Sequence, residues 1–355
     1  MLFSYFSPIF AIANFNKQLV RNMTAKIQIK NDRINSFGGI FFIIDQFRSS
    51  GLAALVDKIL GIKGINTRYS YSNVIENLTS VFVSGGEVLE DVNFFRQEAF
   101  KANPDYRFCS TDTIGRDLRG LAVENTEFQA VESGKTYQFN INNRLNGLLL
   151  KSLLQLGVVN KEQPVTFDYD NQFIANEKYD ATYSYKKANG YFPGIAQINL
   201  HPFYIENRDG NANVKFEQAE TLERAFAQLK ANGIKVDKAR MDCGSYSQEV
   251  VEFYNQRGTS ERTFDMQNND FGWKHLPFSF MKENTVFMIL TALIRNFYVW
   301  LVGEIAANKA FGLEATLRVK KFVFRFVQVP FRWVFRSHQW HLQLFTCRPY
   351  DRLRL

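Results

Sequence analysis

The sequence predicts a mixed α/β protein, a mixed sheet with flanking helices preceded by an all-α N-terminal region. Three observations carry this. From residue 36 to 156 apolar residues recur mainly at helical spacing. At Pro164 the periodicity changes and three strand-like runs follow. A helix and a fourth strand come next, and the order β-β-β-α-β-α describes a sheet with helices on its faces.

In chain order, residues 36–60 read as helical, with Phe41, Phe42, Ile44, Phe47, Leu52, Leu55, Val56 and Ile59 on the repeat. Tyr71 to Ser84 predicts a second helix, stopped by Gly85-Gly86, and Glu87 to Phe100 a third. Ser110 or Thr111 can N-cap the helix that follows. That helix turns Ile114, Leu118 and Leu121 inward and Arg116 and Arg119 outward. A short helix, a turn and a capped basic helix make the outline of a helix-turn-helix reader, and equally of an ordinary helix hairpin. Phe139 to Leu156 closes the helical region.

Val165–Asp170 then reads as a strand, Ala181–Lys186 as a second and Gly194–Ile205 as a third, followed by a turn at Asn207-Arg-Asp-Gly-Asn211. Thr221 is the expected N-cap of a helix running to Ala231, stopped by Asn232-Gly233. A strand leads to Asp242, and another helix begins at Ser247. Val286–Ile294 is strongly apolar but ends at Arg295, which suits a buried helix better than a membrane span.

Composition bounds the function. With 355 residues, 46% apolar and 15% aromatic, the chain has material for a substantial core. The net charge of +8 points to a polyanionic partner. From Arg318 to Arg354 basic residues crowd together with Asp351 as the only acid; a solubilising tail would look the same. The three cysteines lie far apart, with neither metal-ligand nor disulfide spacing, and a reducing cytoplasm is the simplest setting. Met1–Ile12 is apolar but lacks the basic start of a signal peptide, and Met23 is a more natural start.

Three acids stand out. Val165-Thr-Phe-Asp-Tyr-Asp170 ends in carboxylates, Ile234-Lys-Val-Asp-Lys-Ala-Arg-Met-Asp242 ends in another, and Tyr254-Asn-Gln-Arg257-Gly-Thr-Ser-Glu261 supplies a third. Carboxylates on separate elements can cage divalent metal, and such sites cut phosphodiesters. Taken singly, each acid is equally a solvated turn, a cap or, for Glu261, an exposed partner of Arg257. Asp168 and Asp170 point to the same side of a strand, so spacing alone leaves both open as the first ligand.

This order of segments resembles the ribonuclease H-like fold, and more narrowly a DDE transposase of a bacterial insertion sequence. Tyr254, Arg257 and Glu261 match the family's Tyr-x2-Arg-x3-Glu-x6-Lys signature, while the Lys position holds Asn268. Tyr183–Gly194 and Phe264–Pro277 also look like the family, and the likeness covers roughly Met23 to Tyr298. The resemblance implies Asp170, Asp242 and Glu261 as catalytic residues and ligands of Mg²⁺ or Mn²⁺. It also implies Tyr254 and Arg257 against phosphate, with Arg116 and Arg119 as further DNA contacts. The implied partners are double-stranded DNA, as terminal inverted repeats and target, and a second copy in a synaptic complex, in the cytoplasm at the nucleoid and without a membrane.

One departure is large. The family places a long β insertion between the second Asp and the Glu, yet Glu261 follows Asp242 by only nineteen positions. A continuous helix over that stretch, at about 1.5 Å per residue, separates the two by roughly 20 Å or more. An internally deleted copy with weak or no catalysis is therefore expected. The predicted organisation is a leader or misread start over 1–22 and a helical DNA-binding region over 23–160. A ribonuclease H-like domain without its insertion over 161–300 and a basic tail over 301–355 complete it. The rival functions are a catalytically inactive DNA-binding remnant and a structural or interaction protein whose acids are surface charges.

Overall fold

The computed structural model describes residues 28–30, 32–64, 67–131, 133–241 and 260–353, the side chains of 260–263 excepted. The chain divides into two units, Met1–Arg33 and Ile34–Leu355, and the architecture that follows is that of the second.

The predicted helix over 36–60 is two helices, α1 (Gly39–Ser49) and α2 (Leu52–Leu60), broken at Gly51, whose φ of 81° only glycine adopts readily. In α3 (Tyr71–Val83) the Ser70 hydroxyl accepts from the Asn73 amide as a capping box. Where one helix was expected over 87–100, a 3-10 segment (Leu89–Arg96) precedes a single turn, α4 (Glu98–Lys101). The Asp91 carboxylate accepts from the amides of Glu87 and Val88, a local bond that favours the tighter turn. Ser110 caps α5 (Thr111–Arg119) as expected, accepting from Thr113.

The expectation of helix alone up to residue 160 is corrected. β1 (Thr126–Gln129) and β2 (Thr136–Asn140) form a hairpin, and α6 (Asn143–Gln155) begins only after it. Tertiary pairing explains the difference: β2 adds to the main sheet through Phe139–Arg208 and Asn140–Asn207, and Phe128 packs 5.0 Å from Phe139.

The strand β3 (Val165–Asn171) lies where predicted. The expected second strand shrinks to β5 (Thr182–Tyr183), which joins β4 (Ile174–Ala175) and β6 (Asn189–Tyr191) in a small separate sheet. The expected third strand is a hairpin of β7 (Gly194–Ile198) and β8 (His201–Arg208), turned by Asn199 and Leu200 at positive φ. The helix α7 (Gln218–Ala231) starts before Thr221, which is buried within it, and ends at Asn232-Gly233 as predicted. Next comes β9 (Val236–Met241). The six-stranded sheet runs β1-β2-β8-β7-β3-β9, with β3 antiparallel to β7 and parallel to β9.

Each sheet face has its own cover. Phe167, Tyr169, Ala196, Ile198 and Tyr204 meet Leu222, Ala225 and Leu229 of α7, and Phe226 stacks 4.5 Å from Phe167. On the other face Ile195 and Ile205 join the large core shared with the helical region. After α8 (Ser260–Asp270), the long helix α9 (Met281–Ala307) lies along β8 and bonds it through Asn296 to the Pro202 carbonyl. By length and composition α9 could cross a membrane, yet 83% of its most apolar window is buried inside the protein. Arg295, read as the end of the apolar run, instead sits mid-helix, 4% exposed, donating to the Leu200 carbonyl.

Residues 302–353 are folded rather than a tail. A short helix, α10 (Val319–Phe322), leads through a wider helical turn to a hairpin of β10 (Phe331–Arg336) and β11 (Gln339–Leu344). Phe331 and Trp333 pack 4.8 and 5.0 Å from Phe41, and Phe331 lies 5.1 Å from Phe100. The 35 phenylalanines thus find much of their use in tilted and edge-on contacts between distant segments.

Gly194 marks the tightest approach within the sheet. A Cβ there would overlap the Tyr169 hydroxyl, and Tyr169 is buried and held by the Arg208 guanidinium at 3.2 Å. Gly194→Ala is expected to destabilise the fold by about 1–3 kcal/mol, the usual range for overpacking. An unchanged urea midpoint would show that Tyr169 can yield.

Candidate carboxylate site at the end of strand β3

The parallel ladder between β3 and β9 ends with Tyr169 opposite Met241. Asp170 is the next residue of one strand, and Asp242 follows Met241 in sequence. Asp242, Tyr254 and Arg257 lie outside the described residues. Glu261 belongs to the first turn of α8, with its side chain undescribed. The structure therefore places one of the three predicted ligands in full. Asp170 is half-buried at the strand end, and its Oδ1 accepts from the Asn171 amide at 2.8 Å.

The two β3 acids differ in their surroundings. Asp168 is 3% exposed and sits opposite Arg240 on β9. Arg240 Nε lies 2.7 Å from Oδ1, and Nη2 donates to Oδ2 at 3.1 Å. Burial pushes the Asp168 carboxyl above its ordinary range, and the Arg240 contact works against that shift. Both Asp168 oxygens are thus engaged by an arginine. Across β7, Gln197 stands opposite Asp168, fully buried, with neither amide atom bonded among the described residues.

Arg116 and Arg119 are both exposed on α5. Arg116 lies 3.5 Å from Asp117, and Arg119 extends over the Phe278 ring at 5.6 Å. The acids beside the signature, Asp265 and Asp270, hold Arg318 at 2.5 and 2.7 Å. Trp273 is fully buried and donates to Thr291 at 2.9 Å, so it is a core residue. His201 is half-buried, and desolvation, helped by nearby Arg295, lowers its pKa to about 4. Among the described residues no group of three or more His, Cys, Asp or Glu side chains comes together.

Sequence reading missed Arg240, although it precedes Asp242 by two positions as Asp168 precedes Asp170. That shared spacing was the available signal. It also missed Arg68, Arg96, Lys101 and Arg107, which line one groove from separate segments. Comparison with known proteins finds no matching family model, no matching curated protein and no matching solved structure.

Proposed function

We propose that this chain is a DDE-type DNA transposase with a ribonuclease H-like catalytic domain, shortened between its second and third carboxylates. The observation that carries the reading is the parallel pairing of β3 with β9 beside the antiparallel run β3-β7-β8. It sets the C-terminal ends of the first and fourth strands of that motif side by side, which is where open α/β sheets bind ligands. Asp170 and Asp242 each follow the last paired residue. Neighbouring strands lie about 4.8 Å apart, so carboxylates at adjacent strand ends can share a divalent ion.

The residues fit a hard cation such as Mg²⁺ or Mn²⁺. Asp170, Asp242 and Glu261 would hold it, and it would help activate a water or 3′-hydroxyl and stabilise the leaving oxygen. Asp170 is the first ligand in this reading because it lies nearer the end of β3, next to the position opposite Met241 that precedes Asp242. Arg257 would hold a phosphate in a forked contact, with Tyr254 beside it. The short spacing from Asp242 to Glu261 favours a second reading of the same ancestry, a DNA-binding remnant without catalysis.

The test uses the full chain and its Asp170→Ala variant. Calorimetric Mn²⁺ titration is expected to show at least tenfold weaker binding in the variant. Plasmid nicking is expected to stay near background in both. Robust Asp170-dependent nicking would remove the shortened-site account and leave a working transposase. Metal binding that needs Asp168 instead of Asp170 would overturn the ligand assignment. Absence of both Asp170-dependent metal binding and DNA binding would end the transposase reading.

A further inference from the structure

A groove of about 940 Å³ crosses the helical region, away from the β3 carboxylates in sequence and built from other elements. Arg68 comes from the loop between α2 and α3, Arg96 from the end of the 3-10 segment, Lys101 from α4, and Arg107 from the loop before α5. All four are exposed, and among the described residues no carboxylate lines the groove. Arg68 lies over the Tyr69 ring, Arg96 meets Asn93 at 3.5 Å, and Arg107 donates to the Arg68 carbonyl at 3.4 Å. Lys101 has only a 3.9 Å contact to exposed Glu98. Four cations held together by the fold without acids among them repel one another, a cost that a polyanion in the groove relieves.

The surroundings sharpen the shape of that partner. Thr113 lines the groove, and Arg116, one turn on, shares its side of α5, so positive charge continues past the groove's end. Acids border the groove: Glu98 reaches Lys101, Asp45 and Asp105 line an adjoining pocket that shares Arg107, and Asp112 is exposed on the first turn of α5. Tyr69, Tyr106 and Phe108 form the groove's aromatic lining, and Tyr106 and Phe108 are buried. The result is a basic groove supplied by four separate segments over a partly buried aromatic lining, which suits a chain of phosphates better than a single compact anion.

We propose that this groove binds the sugar-phosphate backbone of a nucleic-acid duplex, with Arg68, Arg96, Lys101 and Arg107 as phosphate contacts and Arg116 extending the track. Backbone contacts position a duplex without reading its sequence. The assignment shares DNA with the transposase reading but needs none of its metal chemistry.

The experiment measures binding of the full chain to a 20-base-pair duplex of arbitrary sequence by fluorescence anisotropy, in EDTA, between 50 and 200 mM KCl. Each phosphate contact contributes about 0.9 to the slope of log affinity against log salt. The double variant Arg68→Gln/Arg107→Gln is expected to lower that slope by about 1.8. Over this salt range the parent then loses about tenfold more affinity than the variant. Lys58→Gln, an exposed change on α2 outside the groove, is the control and is expected to leave the slope unchanged. Thermal unfolding checks the fold, and the single variants, each worth about 0.9 in slope, serve if the double variant unfolds. An unchanged slope in the groove variants overturns the proposal, as does absence of binding at 50 mM salt. Equal affinity for polyglutamate would show that the groove takes acidic polypeptide, and would also overturn it. Failure of nicking leaves the proposal standing, because binding is read without metal.

Discussion

Replacing Glu206 with alanine is expected to cost about 3–5 kcal/mol of stability, the usual loss when a buried ion pair loses one partner. Glu206 and Arg208 are both fully buried, between β8 and α7. The carboxylate accepts from Arg224 Nε at 3.0 Å and Nη2 at 2.8 Å, from the Thr221 hydroxyl at 2.7 Å and from the Tyr204 hydroxyl at 3.0 Å. Arg208 Nη2 lies 3.9 Å away. Arg208 also donates to the Tyr169 hydroxyl, the Thr221 hydroxyl and the Phe216 carbonyl, and its guanidinium lies 4.5 Å from the Phe139 ring. Without Glu206, Arg224 can turn its partly exposed end to solvent, but Arg208 keeps its charge in the interior without the carboxylate that lay 3.9 Å from it. Urea unfolding is the measurement. Glu206→Met/Arg208→Met is expected to be more stable than Glu206→Ala, because it removes the orphaned charge as well as the carboxylate. A single-variant loss below about 1 kcal/mol would mean that the cluster is hydrated or redundant.

Asp209→Asn should act in the opposite direction and stabilise the protein at neutral pH. Asp209 is 7% exposed, and burial pushes its carboxyl up to about 6. The Gln138 amide, donating at 2.9 Å, partly opposes that rise, and the nearby Asp180 charge adds to it. Asp180 is itself held by the Tyr191 hydroxyl and the Met281 amide. A carboxyl whose folded pKa is raised favours folding while it is protonated. That contribution is complete below the ordinary value of 3.8 and is lost as pH rises through about 6. A rise of about two pH units corresponds to about 3 kcal/mol at most. Asparagine can still accept from the Gln138 amide without carrying a charge. Denaturation at pH 4 and pH 7 is expected to show the parent losing stability across the interval, with a smaller loss in the variant. Equal pH dependence in the two proteins would remove Asp209 from the account.

Both predictions fall in or next to a stretch that looked like a turn. Asn207-Arg-Asp-Gly-Asn211 has the composition of an exposed loop, yet Asn207, Arg208 and Asp209 are buried. Their partners lie on β2, β3, α7 and α9, and no local window contains them. The same limit explains the missed hairpin at β1–β2. Its strands are short and mostly exposed, and they gain their place by adding to β8. It also explains the split of Gly194–Ile205 into β7 and β8. That apolar run carries no Gly or Asn-Gly signal at its turn, and the chain reverses through Asn199 and Leu200 in the left-handed region instead.

The sequence by itself determined the strand that carries Asp170, a helix cap at Ser110 or Thr111, the helix stop at Asn232-Gly233 and the burial of the run around Val286–Ile294. Each is a local matter of hydrophobic period, hydrogen-bonding side chain or glycine freedom, so a short window holds all the information needed. Only the tertiary structure decided that β9 returns parallel beside β3, that Arg240 engages Asp168, and that four cations from separate segments share one groove. These depend on contacts between residues up to 72 positions apart, and the packing that creates them is a property of the whole core.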